Sequence, residues 1–221
     1  MEHNVVYIGN NRCKLYVGSS RRCVVTEPLV PYDAEIEYLQ SSGGQWIDSG
    51  IVPNINTGIE CTIEWVTISN YNSDDKYVFG MRQTTGNTRF WVGVANKMLR
   101  AAVGGFESSN VSISANDKKV LTFNLNGNSR ATWGGEYYDF TATSFSASYN
   151  AYIFAVNNRG SASYNVSAKL YSFKIYNGLT LVRDYIPVRV GQVGYLYDKV
   201  SRTLFANAGT GSFILGNDIT A

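Results

Sequence analysis

Apolar and polar residues alternate with a period of two along most of the chain, while the three-and-four spacing of an amphipathic helix fails over every long window. Residues 59–67 show it most clearly. Ile59, Cys61, Ile63 and Trp65 fall on one side and Glu60, Thr62 and Glu64 on the other, the pattern of a half-buried antiparallel strand. Two Asn-Gly pairs, at 126–127 and 177–178, sit between such runs and favour the positive φ angles of a tight hairpin turn. The first predicts a hairpin joining 120–125 to 130–133, the second one joining 170–176 to 181–187. Further strands are expected at 36–40, 45–48, 77–82, 89–95, 99–103, 111–114, 151–156, 195–198 and 203–206.

So many short strands separated by Gly, Ser and Asn turns cannot form one flat sheet with a single wet face, and two stacked antiparallel sheets are the economical arrangement. The 16 tyrosines and 10 phenylalanines suit pleated surfaces, and only 4 prolines interrupt the ladders. At 221 residues one sandwich should bury roughly 70 % of the surface its unfolded chain exposes, enough to fold without a metal or disulfide staple.

The N-terminal stretch reads differently. Tyr7-Ile8-Gly9-Asn10-Asn11-Arg12-Cys13 is echoed by Tyr16-Val17-Gly18-Ser19-Ser20-Arg21-Arg22-Cys23, and Pro28 and Pro31 bracket an extended linker. Two copies are too few for a free-standing repeat array, so residues 1–31 are expected to form a β arm that leans on the main domain, 32–221, or on another subunit. Cys13, Cys23 and Cys61 have neither metal-site spacing nor the even number of a disulfide framework. Cys13 and Cys23 could pair if their strands are neighbours, or remain thiols.

Charge narrows the partners. With 19 basic and 17 acidic residues the net charge is +2, too weak a field to gather nucleic acid or anionic membrane. The basic pairs Arg21-Arg22 and Lys118-Lys119 are isolated. No stretch approaches the ~20 apolar residues of a membrane span, and the first eight residues lack a cationic head followed by an apolar run. If the protein acts outside a cell, a leader has been removed or release follows another route, such as phage lysis.

Four ordered segments, the last in two parts, carry a family resemblance. The first runs Glu37-Tyr38-Leu39-Gln40-Ser41-Ser42-Gly43-Gly44-Gln45-Trp46-Ile47-Asp48-Ser49-Gly50-Ile51. Lys169-Leu170-Tyr171-Ser172-Phe173-Lys174-Ile175-Tyr176 and Leu181-Val182-Arg183-Asp184-Tyr185-Ile186-Pro187-Val188 follow. Last come Val193-Gly194-Tyr195-Leu196-Tyr197-Asp198-Lys199 and Gly209-Thr210-Gly211-Ser212-Phe213. The chain from Tyr32 to Gly216 resembles the laminin G-like, concanavalin A-like lectin/glucanase domains of gut bacteria and their phages. The resemblance implies an all-β jelly-roll sandwich whose larger curved sheet can present a concave surface, in a binding or adhesion module. Gln192 stands where the family commonly has an acid, which puts in doubt any bond that acid would support. The Tyr-x-Gly repeats also resemble segments preceding such domains in phage and prophage proteins, which suits an arm docking to a capsid or tail.

Chemistry is sparse. His3 is the sole histidine, so neither a Ser-His-Asp nor a Cys-His pair can be built in a rigid site, and zinc lacks ligand spacing. Glycanases need two carboxylates flanking a sugar bond, and the active members resembled here carry them on one strand face in an E-x-D-x-x-E pattern. Asp33, Glu35 and Glu37 reverse that order and Glu60 with Glu64 lack the middle aspartate, so solvated strand faces are expected and no catalytic residue is assigned. Calcium could use Asp74 and Asp75 with loop carbonyls, although adjacent aspartates are also ordinary loop chemistry. A flat ring can stack a sugar's C–H face while nearby polar groups take its hydroxyls. Trp91, Trp133, Tyr137 and Tyr138 are the ligand candidates on that ground, the last three beside a Gly134-Gly135 loop expected to bend outward; Trp46 and Trp65 read as core.

The expectation is a non-catalytic binding or adhesion module on a phage virion or extracellular surface, presenting its sandwich to glycan or cell-surface polysaccharide and meeting other virion proteins or its own copies through residues 1–31. A decoration protein that binds no glycan is the second reading, and a glycan hydrolase the third.

Overall fold

A computed structural model describes residues 30–68, 75–83 and 88–219, apart from the side chains of 106–108, and the backbone of 5–8, 11–15 and 23–28. Strands β1 (Val5–Ile8), β2 (Asn11–Leu15) and β3 (Cys23–Pro28) form an antiparallel sheet of their own. Its register sets Cys13 opposite Val25 and Leu15 opposite Cys23; whether the two thiols pair concerns side chains outside the described residues. Pro28 closes β3 opposite Asn11, so strand continues to the first of the two prolines expected to bracket a linker.

The body begins with β4 (Ala34–Glu35), β5 (Leu39–Ser42), β6 (Ile47–Asp48), β7 (Thr57–Trp65), β8 (Lys76–Arg82) and β9 (Arg89–Ala95). It continues through β10 (Met98–Val103), β11 (Gly105–Ser112), β12 (Lys119–Phe123), β13 (Arg130–Trp133), β14 (Glu136–Asp139), β15 (Tyr152–Ile153), β16 (Val156–Asn158) and β17 (Ser161–Ser163). The long pair β18 (Ser167–Asn177) and β19 (Thr180–Val190) leads to β20 (Val193–Asp198), β21 (Thr203–Phe205) and β22 (Ile214–Leu215). The smaller sheet has the order β11-β10-β9-β8-β15-β6, with β16 added beside β8 and β17 beside β16. The larger runs β14-β13-β12-β7-β18-β19-β20-β21, extended by β4 on β19, by β5 on β18 and by β22 on β5. Pairing is antiparallel except between β16 and β8.

These sheets stack as an all-β sandwich of jelly-roll type. Phe79 of the smaller sheet meets Phe173 of the larger with ring centroids 5.2 Å apart, and Phe90 meets Phe123 at 4.9 Å. On β7 the apolar set Ile59, Cys61, Ile63 and Trp65 is buried, as its alternation predicts, and Glu60, Thr62 and Glu64 line the outer face. Among the described residues no helix is long and apolar enough to cross a membrane.

Both expected hairpins form; Asn126 and Gly127 take the expected positive φ angles, 56° and 67°, inside a loop wider than predicted, and the second turn shifts by one residue. After Phe123 pairs with Ala131, a 3-10 turn at Leu125–Gly127 fills a wider loop. Buried Asn124 organises that loop, its Nδ2 donating to the carbonyls of Ile55 and Thr57 and its Oδ1 accepting from Ser129 N. In the second hairpin Asn177 pairs with Thr180, so Gly178 and Leu179 make the turn, with Gly178 taking the positive φ of 59°. In the second place alone the register of the neighbouring strands outweighs the local Asn-Gly preference.

Candidate functional site

The smaller sheet buries both of its faces at β8 and β9. Inward go Val78, Phe79, Met81, Phe90, Val92 and Val94, and on the outer side Tyr77, Trp91, Ala102 and Val156 make a second apolar cluster. Two glycines allow this. Gly93 lies opposite Tyr77 and Gly80 opposite Trp91; a Cβ on Gly93 would come 2.1 Å from the Lys76 carbonyl oxygen and 2.8 Å from the Tyr77 ring, and one on Gly80 2.4 Å from Trp91 Cβ. The two rings therefore lie across bare backbone, their centroids 4.4 Å apart. The β16–β17 hairpin extends the same sheet beside β8, and just beyond it Tyr164 sets its ring edge-on to Tyr77 at 5.4 Å.

Where the 162–165 segment meets the C-terminal loop, a cleft of about 590 Å³ opens, within the usual range of small-ligand sites. Gly43, Gly44 and Trp46 form one wall, Ala208, Gly209 and Thr210 another, and Lys76, Ala162, Tyr164 and Asn165 the third. The first two walls are knitted together. Thr210 N donates to Gly44 O at 2.9 Å and Ala208 N to Trp46 O at 2.8 Å. Buried Gln45 spans the seam, its Nε2 donating to Thr210 O at 3.0 Å while its Oε1 accepts from Ser42 N at 2.8 Å. Asn207 Oδ1 accepts from Gly209 N, and its Nδ2 donates to Gly211 O. A Cβ on Gly209 would come 2.2 Å from the Gly44 oxygen, so glycine is what permits this approach.

Trp46 is half-buried rather than core, which corrects its expected placement. It alternates with Gln45 and Ile47, which point inward, and stacks on Tyr152 at 4.1 Å with 23° between the ring planes. The indole is thus held flat in the cleft wall by an aromatic neighbour. Across the cleft, Tyr164 is exposed, and Arg82 Nη1 donates to its hydroxyl at 2.9 Å. The pairing of a fixed indole with a tyrosine, an asparagine, a threonine and a lysine offers apolar ring surface and hydrogen-bonding groups in one space.

The four aromatics singled out from sequence do not come together. Trp91 sits in the outer cluster of the smaller sheet, 5 % exposed. Trp133 pairs with Leu121 and Tyr138 with Ala131, both on the core face; Trp133 is 1 % exposed and packs edge-on against Trp65 at 4.8 Å. The expected outward loop is a tight turn, with Gly134 and Gly135 at φ 58° and 99°. This turn directs Trp133 inward with its strand, so Trp133 and Tyr138 cannot offer a ring to solvent. Tyr137, opposite Thr132, does face outward, with the Arg130 guanidinium 3.9 Å from its ring centroid. The cleft residues were missed because they come from distant segments; the signal available was Trp46 alternating with Gln45 and Ile47, beside glycines at 43–44 and 209.

The carboxylates considered for catalysis are engaged on open faces. Asp33 accepts from Gly191 N and Glu35 from Tyr32 OH, while Glu37 lies exposed on the same stretch. Glu60 pairs with Lys174 at 3.0 Å and Glu64 with Lys169 at 2.8 Å. The Lys169 hydrogen bond above all holds the Glu64 carboxyl below the usual carboxylate range, against the opposing effect of burial, with a weaker contribution from Tyr171. Buried Asp198 accepts from Asp184 N, Val200 N and Ser201 N and Oγ, fixing the β20–β21 turn. Burial pushes the Cys61 thiol far up, with Glu60 adding to it, which leaves Cys61 a packing residue. Asp75 Oδ2 accepts from Tyr77 OH at 2.7 Å, and Asp74 lies outside the described residues. Among the described residues no three acidic, histidine or cysteine side chains gather as a metal site.

The fold has a solved counterpart. A crystal structure of a Bacteroides ovatus protein described as a "putative carbohydrate binding protein" matches with a TM-score of 0.57 and 11% sequence identity, over 96% of this chain and 68% of that one. At such identity the likeness concerns architecture. No family model matches the chain, and no curated protein does.

Proposed function

We propose that the protein is a non-catalytic glycan-binding module and that its sugar site is the Trp46 cleft. The observation that carries this reading is the indole of Trp46, stacked on Tyr152 and lining a cleft of about 590 Å³ with Tyr164, Asn165 and Thr210 around it. A pyranose presents a C–H face to such a ring and hydroxyls to the polar groups beside it. The architecture shared with the Bacteroides ovatus protein supports the same reading.

Binding without hydrolysis fits the carboxylates. A glycosidase acid needs a raised pKa and a partner across a sugar-sized gap. Glu64 is instead held ionised by Lys169 and Tyr171, and no carboxylate is among the residues lining the cleft. In the finer form of the proposal the module sits on a phage particle or cell surface and residues 1–31 attach it there. Two observations support that role: the Tyr-x-Gly repeats, and the sheet that β1, β2 and β3 make of their own.

A glycan array tests the site. Wild-type protein should show saturable binding, and Trp46→Ala, with an unchanged far-ultraviolet spectrum, should weaken it more than about 30-fold, as expected on losing a central aromatic anchor. Absence of binding across the array would favour the decoration reading, and reducing-sugar release from a bound polysaccharide would favour the hydrolase. Deleting residues 1–31 should leave array binding in place and abolish co-sedimentation with particles; retained co-sedimentation would remove the arm's attachment role.

A further inference from the structure

One wall of the Trp46 cleft holds a strained residue. Tyr164 takes φ 57°, the left-handed region in which a Cβ crowds the following carbonyl and a bulky side chain is an outlier. One other aromatic residue among those described, Phe154, adopts this conformation, and its ring is fully buried in the core that holds it there. Tyr164 is 36 % exposed, so core packing does not account for it. The strained turn shapes the cleft. Alternation continued from β17 would put Asn165 on the face opposite Ala162 and Tyr164; the left-handed residue breaks that alternation, and all three line the cleft. Contacts from β8 then fix the ring. Tyr77 N donates to Tyr164 O at 3.0 Å, and the Tyr77 ring meets the Tyr164 ring edge-on. Arg82 Nη1 donates to Tyr164 Oη at 2.9 Å, with the guanidinium 5.5 Å from the ring centroid. An arginine can only donate, so Oη is the acceptor in that bond and keeps its own proton for another oxygen.

We propose that Arg82, which does not itself line the cleft, is a positioning residue of the sugar site: it holds the strained Tyr164 in place before a glycan arrives, and the Tyr164 hydroxyl donates to a sugar oxygen. The proposal rests on the sugar reading of the cleft. The backbone is its main support. Glycine would serve position 164 better for folding alone, so a tyrosine there gives up stability for a ring kept in a set place. Fixing the ring in advance also spares a bound glycan the entropy of ordering it. Charge adds to this, because a hydroxyl that accepts from a guanidinium is polarised toward donating its own proton.

The test measures binding and folding in the same variants. Titration calorimetry uses cellotetraose, xylotetraose, mannotetraose and sialyllactose together with the strongest binder of the array, and urea unfolding reports stability. Tyr164→Gly should bind about tenfold more weakly yet unfold at a urea concentration no lower than wild type, because glycine adopts φ 57° without strain. Tyr164→Phe, which keeps the ring, should weaken binding about fivefold, the scale of one hydrogen bond, and Arg82→Met should weaken it less. The double variant should bind no more weakly than Tyr164→Phe alone, since Arg82 acts only through that hydroxyl. Unchanged binding in Tyr164→Gly, or a fall in its stability, would make Tyr164 a packing residue and overturn the proposal; so would additive losses in the double variant. In each of those cases Trp46→Ala would still weaken binding and leave the sugar cleft standing. Failure of every probe together with a blank array would overturn this proposal and the sugar reading at once.

Discussion

The outer faces of the two sheets begin from the same alternating code and end as opposite surfaces. On the larger sheet Glu60, Glu64, Lys169 and Lys174 pair across β7 and β18, and Thr122 and Thr132 share a hydrogen bond of 2.7 Å across β12 and β13. These groups are satisfied in water, and the face stays open. On the smaller sheet the outward positions of β8 and β9 hold Tyr77, Gly80, Trp91 and Gly93, which water serves poorly, and Val156 of the adjoining strand and the ring of Tyr164 pack against this patch. The cleft opens beside this face, where Tyr164 and Asn165 meet the loops that carry Trp46 and Thr210. The aromatic cluster therefore lies next to the cleft, whereas the charged ladder contributes modest stability.

Substitutions on the two faces should separate these roles. The largest effect is expected from Gly93→Ala, since its Cβ would come 2.1 Å from the Lys76 carbonyl and 2.5 Å from Tyr77 Cα. Pushing β8 away should cost about 3 kcal/mol in urea unfolding, at the upper end of overpacking effects, and should also disturb Tyr77 and the Lys76 wall of the cleft. A variant as stable as wild type would show that the rings are not pressed onto backbone.

A smaller effect is expected on the open face. Glu64→Gln should lower stability at neutral pH by about 1 kcal/mol, the scale of a partly buried hydrogen-bonded pair. The sign of its pH dependence follows from the lowered carboxyl of Glu64. Folding favours the ionised form, so the stabilisation is fully present above the ordinary value of 4.5 and is lost as pH falls through the lower folded value. Stability measured from pH 6 down to about pH 3 should thus fall less steeply in Glu64→Gln than in wild type. Identical slopes would remove Glu64 from the acid response. Glu60→Gln, whose pair with Lys174 is more than a third exposed on both sides, should change stability by less than about 0.5 kcal/mol.

Much of the fold was legible along the chain because a strand's side-chain period is short and local. The alternation of residues 59–65 assigns β7 and its buried face correctly, and the same rule read along 130–133 places Trp133 with Ala131 on the core side, opposite Arg130 and Thr132. The two glycines after Trp133 suggested exposure, yet a two-residue turn reverses the chain without changing which face a strand residue occupies. Trp46 shows the converse: size and hydrophobicity argue for burial, but its neighbours Gln45 and Ile47 take the inward positions.

The amino-acid order by itself determined the all-β class and the face that strands such as β7 bury, since these depend on composition and on a two-residue repeat. Only the tertiary structure decided which aromatic ring meets solvent and which polar groups surround it. The cleft assembles from loops near residues 43–46, 76, 162–165 and 208–210, brought together by backbone hydrogen bonds between Gly44 and Thr210 and between Trp46 and Ala208. Their separation in sequence carries no local periodicity, so the site exists only once the sheets have stacked.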